Sequence, residues 1–332
     1  MKRKTFLLIH MFFDWIILVF LPLEKSRLTM KPKIKSITKY LTTYNRVNTY
    51  DDTIVEDKRM IAYAAYDPNG NLCCDKTYNT DGHCENMIQR NYNEKNQLIE
   101  ESFYDGIEEV SYESRTYSFG ENDLICACKV KYSEEEILEK FVYDDEDKLI
   151  EKHIVYADGS QYCENKYSWK DKHLVEEIEC DDEDSVCVRK KYFYDEQDRL
   201  VVFELEEVMQ DNKMKESYEY DEHGPVVQKT YNLKGELMAT RTYAYNENGL
   251  MIEQMIETPS QYIKYVYTYS DDDLLVVESM FNHDDRELSR REMKYNENKD
   301  EVSINVYSLN IVDNNDELLL VENYSSEYEY YS

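Results

Sequence analysis

The stretch Tyr194-Asp195-Glu196-Gln197-Asp198-Arg199-Leu200 is repeated along the chain in closely related form. In each copy a tyrosine is followed by Asp or Asn, then by further turn-forming residues, and then by an apolar residue. The other copies lie at residues 66–72, 92–98, 143–149, 220–226 and 245–250. Self-similarity at a fixed period indicates a repeat protein, so the length of 332 residues does not by itself set the number of domains.

The repeat has a period of about 25 residues. Its anchoring tyrosines are separated by 26, 25, 26, 24, 27, 26, 25, 24 and 26 residues: Tyr66, Tyr92, Tyr117, Tyr143, Tyr167, Tyr194, Tyr220, Tyr245, Tyr269 and Tyr295. A second turn signal falls near the middle of most intervals, as in Ala157-Asp158-Gly159. The residues between turns alternate and favour aromatic and β-branched types, which predicts two strands per repeat. Each repeat is therefore predicted to be a β-hairpin.

Turn chemistry predicts how each hairpin is held. Glycine can take the positive φ that tight turns need, and Asp and Asn tolerate it. The candidate glycines are Gly70, Gly82, Gly106, Gly159, Gly224, Gly235 and Gly249. A leucine after the turn is expected to pack against the tyrosine before it and to fix the register. These leucines are Leu72, Leu98, Leu124, Leu149, Leu174, Leu200, Leu250 and Leu274.

The recurring pattern Tyr-Asp-x-x-Gly-x-Leu resembles the YD-repeat family, also called Rhs-like repeats, which is found mostly in bacterial cell-surface and toxin-delivery proteins. The resemblance covers roughly residues 40–300 and implies tandem hairpins joined into one long sheet that spirals. About twenty strands at a spacing of roughly 4.8 Å would make a sheet near 95 Å wide, and strand twist forces such a sheet to coil or close. We predict an all-β fold of tandem β-hairpin repeats forming one long, twisted, spiralling antiparallel sheet.

Four segments are expected along the chain: a hydrophobic leader at 1–29, a degenerate first repeat or cap at 36–65, the hairpin array at 66–300, and C-terminal cap strands at 301–332. The basic residues 1–4 and the apolar run 6–23 are typical of a signal peptide or membrane anchor. His10 and Asp14 interrupt that run, and Met30 offers an alternative start. Export or anchoring, with membrane contact only through residues 6–23, and a cytoplasmic protein translated from Met30 both stay open.

The charge balance excludes one class of partner. Asp and Glu total 70 against 39 Lys and Arg, which gives a net charge of -31. A field of that sign repels phosphate backbones, so nucleic acid is not expected to bind. The acidic turns lack the spacing of a Ca²⁺-binding EF-hand loop, and solvated turns are the simpler interpretation.

Cysteine and histidine carry no recognised site motif. The eight cysteines, among them Cys126 and Cys128, contain no C-x-x-C and no zinc-finger spacing. Cys180 and Cys187 flank an acidic loop and are predicted either to form a disulfide or to be two free thiols. Most of the histidines at 83, 153, 173, 223 and 283 are expected in or beside turns. No catalytic, cofactor-binding or metal-ligating residue is assigned, and no cofactor is expected.

Two functions from different classes follow from these patterns. The first is a non-enzymatic scaffold or binding protein that contacts a protein or carbohydrate through its repeat surface, because loops on one side of a repeat array can vary while the stack stays constant. The second is a toxin-associated or enzymatic component with a site in an irregular segment, such as 126–128 or the C-terminal cap. The Tyr-x-Tyr pairs place a tyrosine stripe on one face of the sheet, which we expect to serve packing more than ligand stacking.

Overall fold

Antiparallel β-strands make up almost all of the regular structure in this computed structural model. The structure describes residues 32–48, 51–106, 110–310 and 317–332, and within these ranges Val208–Gln210, a 3-10 turn, is the only helical element. The strands are β1 (Ile34–Asn48), β2 (Asp51–Tyr66), β3 (Leu72–Tyr78), β4 (Cys84–Tyr92), β5 (Leu98–Asp105), β6 (Val110–Phe119), β7 (Ile125–Tyr132), β8 (Glu136–Tyr143), β9 (Leu149–Tyr156), β10 (Gln161–Lys170), β11 (His173–Cys180), β12 (Val186–Tyr194), β13 (Leu200–Glu207), β14 (Asn212–Tyr220), β15 (Pro225–Tyr231), β16 (Leu237–Tyr245), β17 (Met251–Thr258), β18 (Gln261–Tyr269), β19 (Leu275–Phe281), β20 (Glu287–Tyr295), β21 (Glu301–Leu309) and β22 (Leu318–Tyr330). The predicted all-β class with hairpin strands is confirmed.

The 22 strands form one closed sheet. Each strand pairs antiparallel with its neighbours in the chain, and β1 also pairs with β22. The closing ladder runs from Ile34 opposite Tyr330 to Thr43 opposite Glu322. The sheet is therefore a barrel, and the prediction of one long, twisted, spiralling sheet is wrong. An open sheet would leave two edges of unpaired backbone groups, and closure pairs them while strand tilt takes up the twist.

The barrel has little packed core. Among the described residues only six apolar side chains are buried: Leu41, Cys128, Val130, Ile154, Cys163 and Met293. Twenty-two strands at a spacing of about 4.8 Å give a circumference of at least about 105 Å and a diameter of about 34 Å if the ring is round. Side chains from opposite walls of such a ring do not meet. Backbone ladders and cross-strand contacts along the wall therefore carry the stability.

The connections between strands lie at the two ends of the barrel. At the end we call the Tyr-Asp rim, the strands are joined by residues 67–71, 93–97, 120–124, 144–148, 171–172, 195–199, 221–224, 246–250, 270–274 and 296–300. At the other end, the mid-repeat rim, the described connections are residues 79–83, 133–135, 157–160, 181–185, 208–211, 232–236, 259–260 and 282–286, together with the flanking strand ends. Each hairpin repeat therefore contributes one turn to each rim.

A five-residue turn recurs at both rims. In residues 195–199, the Asp195 N–H donates to the Arg199 carbonyl at 2.9 Å, and Asp195 Oδ1 accepts the N–H groups of Gln197 and Arg199, each at 2.9 Å. The fourth residue, Asp198, has φ of 64°, which only Gly, Asn and Asp tolerate well. The corresponding positive-φ residues at the Tyr-Asp rim are Gly70, Asn96, Asp123, Asp147, Gly249, Asp273 and Lys299. Asn or Asp thus replaces glycine at most turns that lack it, and Lys299 does so at residues 296–300.

Two glycines that were expected in this role serve another one. Gly106 and Gly224 do not have positive φ. A Cβ at Gly106 would lie 2.4 Å from the Cys84 carbonyl oxygen, and one at Gly224 would lie 3.0 Å from the hydroxyl of Tyr245. Gly106 therefore needs glycine for close approach to backbone, whereas a side chain at Gly224 would require only a small shift of Tyr245. The prediction of a left-handed conformation at these two positions is wrong.

At eight of the ten Tyr-Asp turns, the last aromatic residue before the turn is hydrogen-bonded to the neighbouring strand. The Tyr220 hydroxyl donates to the Leu200 carbonyl at 2.6 Å. The same bond, between 2.8 and 3.1 Å, is made by Tyr92, Tyr143, Trp169, Tyr194, Tyr245, Tyr269 and Tyr295. Phe119 is the last residue of β6, and Trp169 is the last aromatic residue of β10. Tyr117 and Tyr167, which the periodicity selected as anchors, therefore each lie two positions before the last aromatic residue of their strand. The aromatic position is structural because its polar atom satisfies a main-chain carbonyl at the rim.

Candidate functional site

Exposed apolar side chains concentrate at the mid-repeat rim. Fourteen large hydrophobic side chains of the described residues are exposed, and only Val142, Phe193 and Ile252 lie near the Tyr-Asp rim. The other eleven lie at the mid-repeat end of the molecule: Ile54, Val55, Val110, Tyr112, Tyr132, Tyr156, Val208, Met209, Leu233, Leu237 and Met238. Single exposed apolar residues need no explanation, but a concentration of them on one side of a molecule marks an interaction surface.

The mid-repeat rim is also strongly acidic. The connections assigned to it contain twelve Asp and Glu residues but only two basic residues, Lys234 and Arg286. Asp158 illustrates how the turns hold these carboxylates: its Oδ1 accepts the Ser160 hydroxyl at 2.6 Å and the Ser160 N–H at 2.9 Å, and these bonds lower the pKa of Asp158. The rim therefore combines apolar side chains with a negative field, which favours a partner that is both apolar and basic.

A two-stranded ribbon extends this rim. β2 begins to pair with β3 only at Ala62, and β1 stops pairing with β22 at Thr43. Residues 54–60 of β2 pair with β1 on one side, and no strand of the described ranges lies on their other side. Ile54 and Val55 near its tip are 56% and 51% exposed. An edge of this kind can accept an added strand from another chain.

Two shallow depressions lie at the same end of the barrel, between β3 and β8. The smaller, of about 510 Å³, is lined by Asn79, Asp81, His83, Cys84 and Gly106. The larger, of about 650 Å³, is lined by Glu85, Asn86, Asp105, Val110, Ser111, Tyr112 and Ser133. Both are open and present polar and apolar surface together, and the exposed apolar pair Val110 and Tyr112 lines the larger one. They make the surface of the rim uneven, but neither forms an enclosed binding site.

The tyrosine stripe lies on a half-buried face of the wall. Burial raises the pKa of Tyr245 and of Tyr192, each to about 12. On the same face the Arg90 Nε contacts Glu101 Oε1 at 2.7 Å, with 17% and 12% of the two side chains exposed. The Tyr117 hydroxyl donates to the other Glu101 oxygen at 3.4 Å. The Tyr117 hydroxyl, Arg90 Nε and Glu101 are thus paired with one another, although the buried Arg90 Nη1 has no hydrogen-bond partner. This geometry favours the structural interpretation of the stripe.

One cluster brings three metal-ligand types together. His153 and Cys163 are direct cross-strand partners on β9 and β10, and Glu151 lies two residues before His153 on the same face. One ligand atom from each of the three side chains lies within 4.8 Å of the other two, and His153 Nε2 is 2.8 Å from Glu151 Oε2. Burial raises the pKa of the Cys163 thiol.

This cluster was not predicted from the sequence, because most histidines were expected in or beside turns, whereas His153 lies inside β9. A signal was present in the chain. Counting outward from the predicted turn at 157–159 places residues 153 and 163 opposite one another in an antiparallel hairpin, and alternation puts Glu151 beside them.

The cysteines singled out from the sequence differ in their burial. Cys126 is exposed, while Cys128 is almost fully buried and its pKa is raised by burial to about 11. Cys180 and Cys187 are both free thiols. A bulge places Cys180 opposite Val186, so Cys187 is displaced by one residue from the position that a disulfide would need. Of the two alternatives left open by the sequence, the structure has the free thiols.

The fold and rim define an all-β barrel of repeating hairpins with an exposed acidic and apolar end. No protein-family model matches the sequence, and no curated protein sequence matches it. A Photorhabdus luminescens Tc holotoxin pore structure containing TccC3 aligns at 9% identity over 81% of this chain and 19% of that chain, with a TM-score of 0.34. A complex of TcdB2, TccC3 and Cdc42 aligns at 9% identity over the same shares, with a TM-score of 0.33. The chain thus spans about a fifth of the toxin chains it matches.

A porin-like protein from Bacteroides uniformis is a further structural neighbour, at 9% identity over 89% of this chain and 96% of that chain, with a TM-score of 0.27. These neighbours are weak and do not assign a function. No helix within the described ranges is long and apolar enough to span a membrane. The predicted leader at 1–29, with its apolar run at 6–23, lies outside the described residues.

Proposed function

We propose that this protein is a non-enzymatic binding scaffold that contacts another protein through its mid-repeat rim. The observation that carries this proposal is the position of eleven of the fourteen exposed large hydrophobic side chains at that end of the barrel. Protein interfaces combine a cluster of desolvated apolar and aromatic side chains with a polar surround, which is the composition of this rim.

The regularity of the wall supports a scaffold. The strands from β3 to β21 are 7–10 residues long, and the fully described connections between them have two to five residues. Such a wall holds a constant framework while turn residues vary from one repeat to the next. We further propose that these repeats are of the YD type, which rests on the Tyr-Asp turn and its recurrence.

Charge and edge geometry support a basic protein as the partner. Because the whole chain has a net charge of -31 and the rim turns hold twelve carboxylates against two basic residues, a basic protein is favoured over an acidic one. The free side of residues 54–60 would add main-chain hydrogen bonds to an extended segment of that partner. Carbohydrate is the competing class of ligand, and nothing in the rim selects it.

Site-specific photo-cross-linking tests the proposal. A photoreactive residue replaces Met209, which is 74% exposed on the mid-repeat rim, and in a second variant it replaces Glu196, which is exposed on the Tyr-Asp rim. In the native host we expect a discrete protein adduct from position 209 and none from position 196. The double substitution V208S and M209S should weaken binding of the captured protein at least about tenfold, because it removes two apolar contacts.

Other results would contradict the proposal in distinguishable ways. Adducts formed equally from both positions would remove the assignment to the mid-repeat rim. Selective binding on a glycan array, with no protein adduct, would favour carbohydrate. Turnover in a hydrolase screen, lost on substitution of a residue in segment 126–128 or the C-terminal cap, would favour the enzymatic alternative.

A further inference from the structure

The Glu151, His153 and Cys163 cluster is not explained by the binding proposal. These side chains come from two adjacent strands, with Cys163 only 8% exposed and the imidazole of His153 24% exposed. Within the described residues it is the one group of three His, Cys, Asp or Glu side chains whose ligand atoms converge in this way. We propose that Glu151, His153 and Cys163 form a binding site for a late first-row divalent cation of the Zn²⁺ class.

The donor set selects the metal. Thiolate, imidazole and carboxylate are the ligands of Zn²⁺ and its neighbours, whereas Ca²⁺ and Mg²⁺ require sites built from oxygen. Donor atoms around a tetrahedral Zn²⁺ lie about 3.4–3.6 Å apart, given bonds of about 2.0–2.3 Å. The three ligand atoms here lie within 4.8 Å of one another, so small side-chain rotations bring them to that spacing. Three protein ligands leave a fourth position for water or a partner side chain.

The local backbone and charge fit a bound cation. A β-bulge between Cys163 and Asn165 interrupts the β9–β10 ladder next to the cluster, and bulges re-aim side chains at functional sites. A thiolate and a carboxylate together neutralise a divalent ion. Lys140 and Lys166 are the cross-strand partners of His153 and Glu151. Their positive charges oppose cation binding, but their long side chains can turn toward solvent, which weakens this repulsion. Metal binding would join β9 to β10 through side chains, in addition to the backbone ladder.

Cobalt titration tests the site, because a thiolate bound to Co²⁺ gives a charge-transfer absorption band. The full chain is stripped of metal with a chelator, kept reduced with a non-thiol reductant, and titrated with Co²⁺. We expect a saturable band at one Co²⁺ per chain that Zn²⁺ displaces. C163A and H153Q should each weaken binding by more than about 100-fold, since loss of an outer partner of a metal ligand alone costs about 10–100-fold.

Matched controls separate this site from the other thiols. Cys187 on β12 and His173 on β11 lie outside the cluster, so C187A and H173Q should retain the band. A band that persists in C163A, or disappears in C187A, overturns the assignment, as does the absence of saturable binding in the unsubstituted chain. If circular dichroism shows that C163A does not fold, H153Q and E151Q decide the question, because both positions are more exposed than Cys163.

Discussion

At the scale of single residues, the tyrosine before a Tyr-Asp turn has two roles, as at seven of the ten turns. Its ring covers the neighbouring strand, and its hydroxyl satisfies a carbonyl at the strand end, as in the bond from Tyr220 to Leu200. The ring was predictable from the recurring Tyr and Leu pattern, and Tyr194 does pair with Leu200 across its turn. The hydroxyl bond was not predictable, because Tyr220 and Leu200 are 20 residues apart and their contact depends on the register of two neighbouring strands.

The hydroxyl bond gives a prediction for a single atom. Y220F keeps the ring and removes the donor to the Leu200 carbonyl, so we expect it to lower the free energy of unfolding by about 0.5–1.5 kcal/mol. Urea denaturation followed by circular dichroism measures the change. Tyr231 supplies a matched control, because its hydroxyl has no hydrogen bond within the described structure, and Y231F should leave stability nearly unchanged. Equal effects of the two substitutions would contradict a structural role for the Tyr220 hydroxyl.

At the scale of the element, the hairpin turn is the part of this fold that the sequence specifies most completely. All of its hydrogen bonds lie within five residues. The requirements for Asp195 at the first position and for Asp198 at the left-handed position are therefore set by the local sequence. The conformation of Gly106 was predicted wrongly because the need for glycine there comes from a residue distant in sequence. A Cβ at this position would clash with the Cys84 carbonyl. The Glu151, His153 and Cys163 cluster is intermediate in predictability. The register of one hairpin brings its residues together, but no sequence motif marks them as a site.

The turn carboxylates predict how stability depends on pH. The N–H groups of Arg199 and Lys148 hydrogen-bond to Asp195 and Asp144 and hold the pKa of each carboxyl below its usual value. A carboxylate whose folded pKa is depressed stabilises the fold above its unfolded pKa, near about 3.9, and this contribution is lost as the pH falls through the folded value. Acidification also relieves repulsion within a chain of net charge -31, so the comparison must be made with a variant.

The variant D144N/D195N separates the two effects of acid. Asn already opens the equivalent turns at Asn93 and Asn246, where its side-chain oxygen accepts the same N–H groups. The variant should therefore fold normally near neutral pH and lose less stability than the unsubstituted protein between about pH 4 and pH 2. D195A removes the acceptor altogether and should lower the melting temperature at every pH. If the variant and the unsubstituted protein lost the same stability between about pH 4 and pH 2, the proposed contribution of the turn carboxylates would be contradicted.

At the scale of the whole molecule, closure is the property that the sequence did not determine. Coiling and closing both satisfy strand twist, and the choice depends on whether β1 finds β22, whose paired residues Ile34 and Tyr330 are separated by almost the entire chain. No residue near either terminus signals its partner in the way that an Asn-Gly turn signals a hairpin. Closure also organises the proposed interaction surface, because it gathers the mid-repeat turns and their exposed side chains into one ring.

An engineered disulfide across the closing seam tests closure directly. Thr38 and Glu327 are partners in the β1–β22 ladder, so T38C/E327C should oxidise to a cross-link within the folded monomer, detectable as a linked peptide by mass spectrometry. Glu204 and Lys215 are partners on the adjacent strands β13 and β14, so E204C/K215C should cross-link in an open spiral and in a barrel alike. Closing a loop of nearly the whole chain should also raise the unfolding midpoint more than the short-loop control does. If E204C/K215C formed its disulfide and T38C/E327C did not, the sheet would be open, because only closure brings β1 and β22 together.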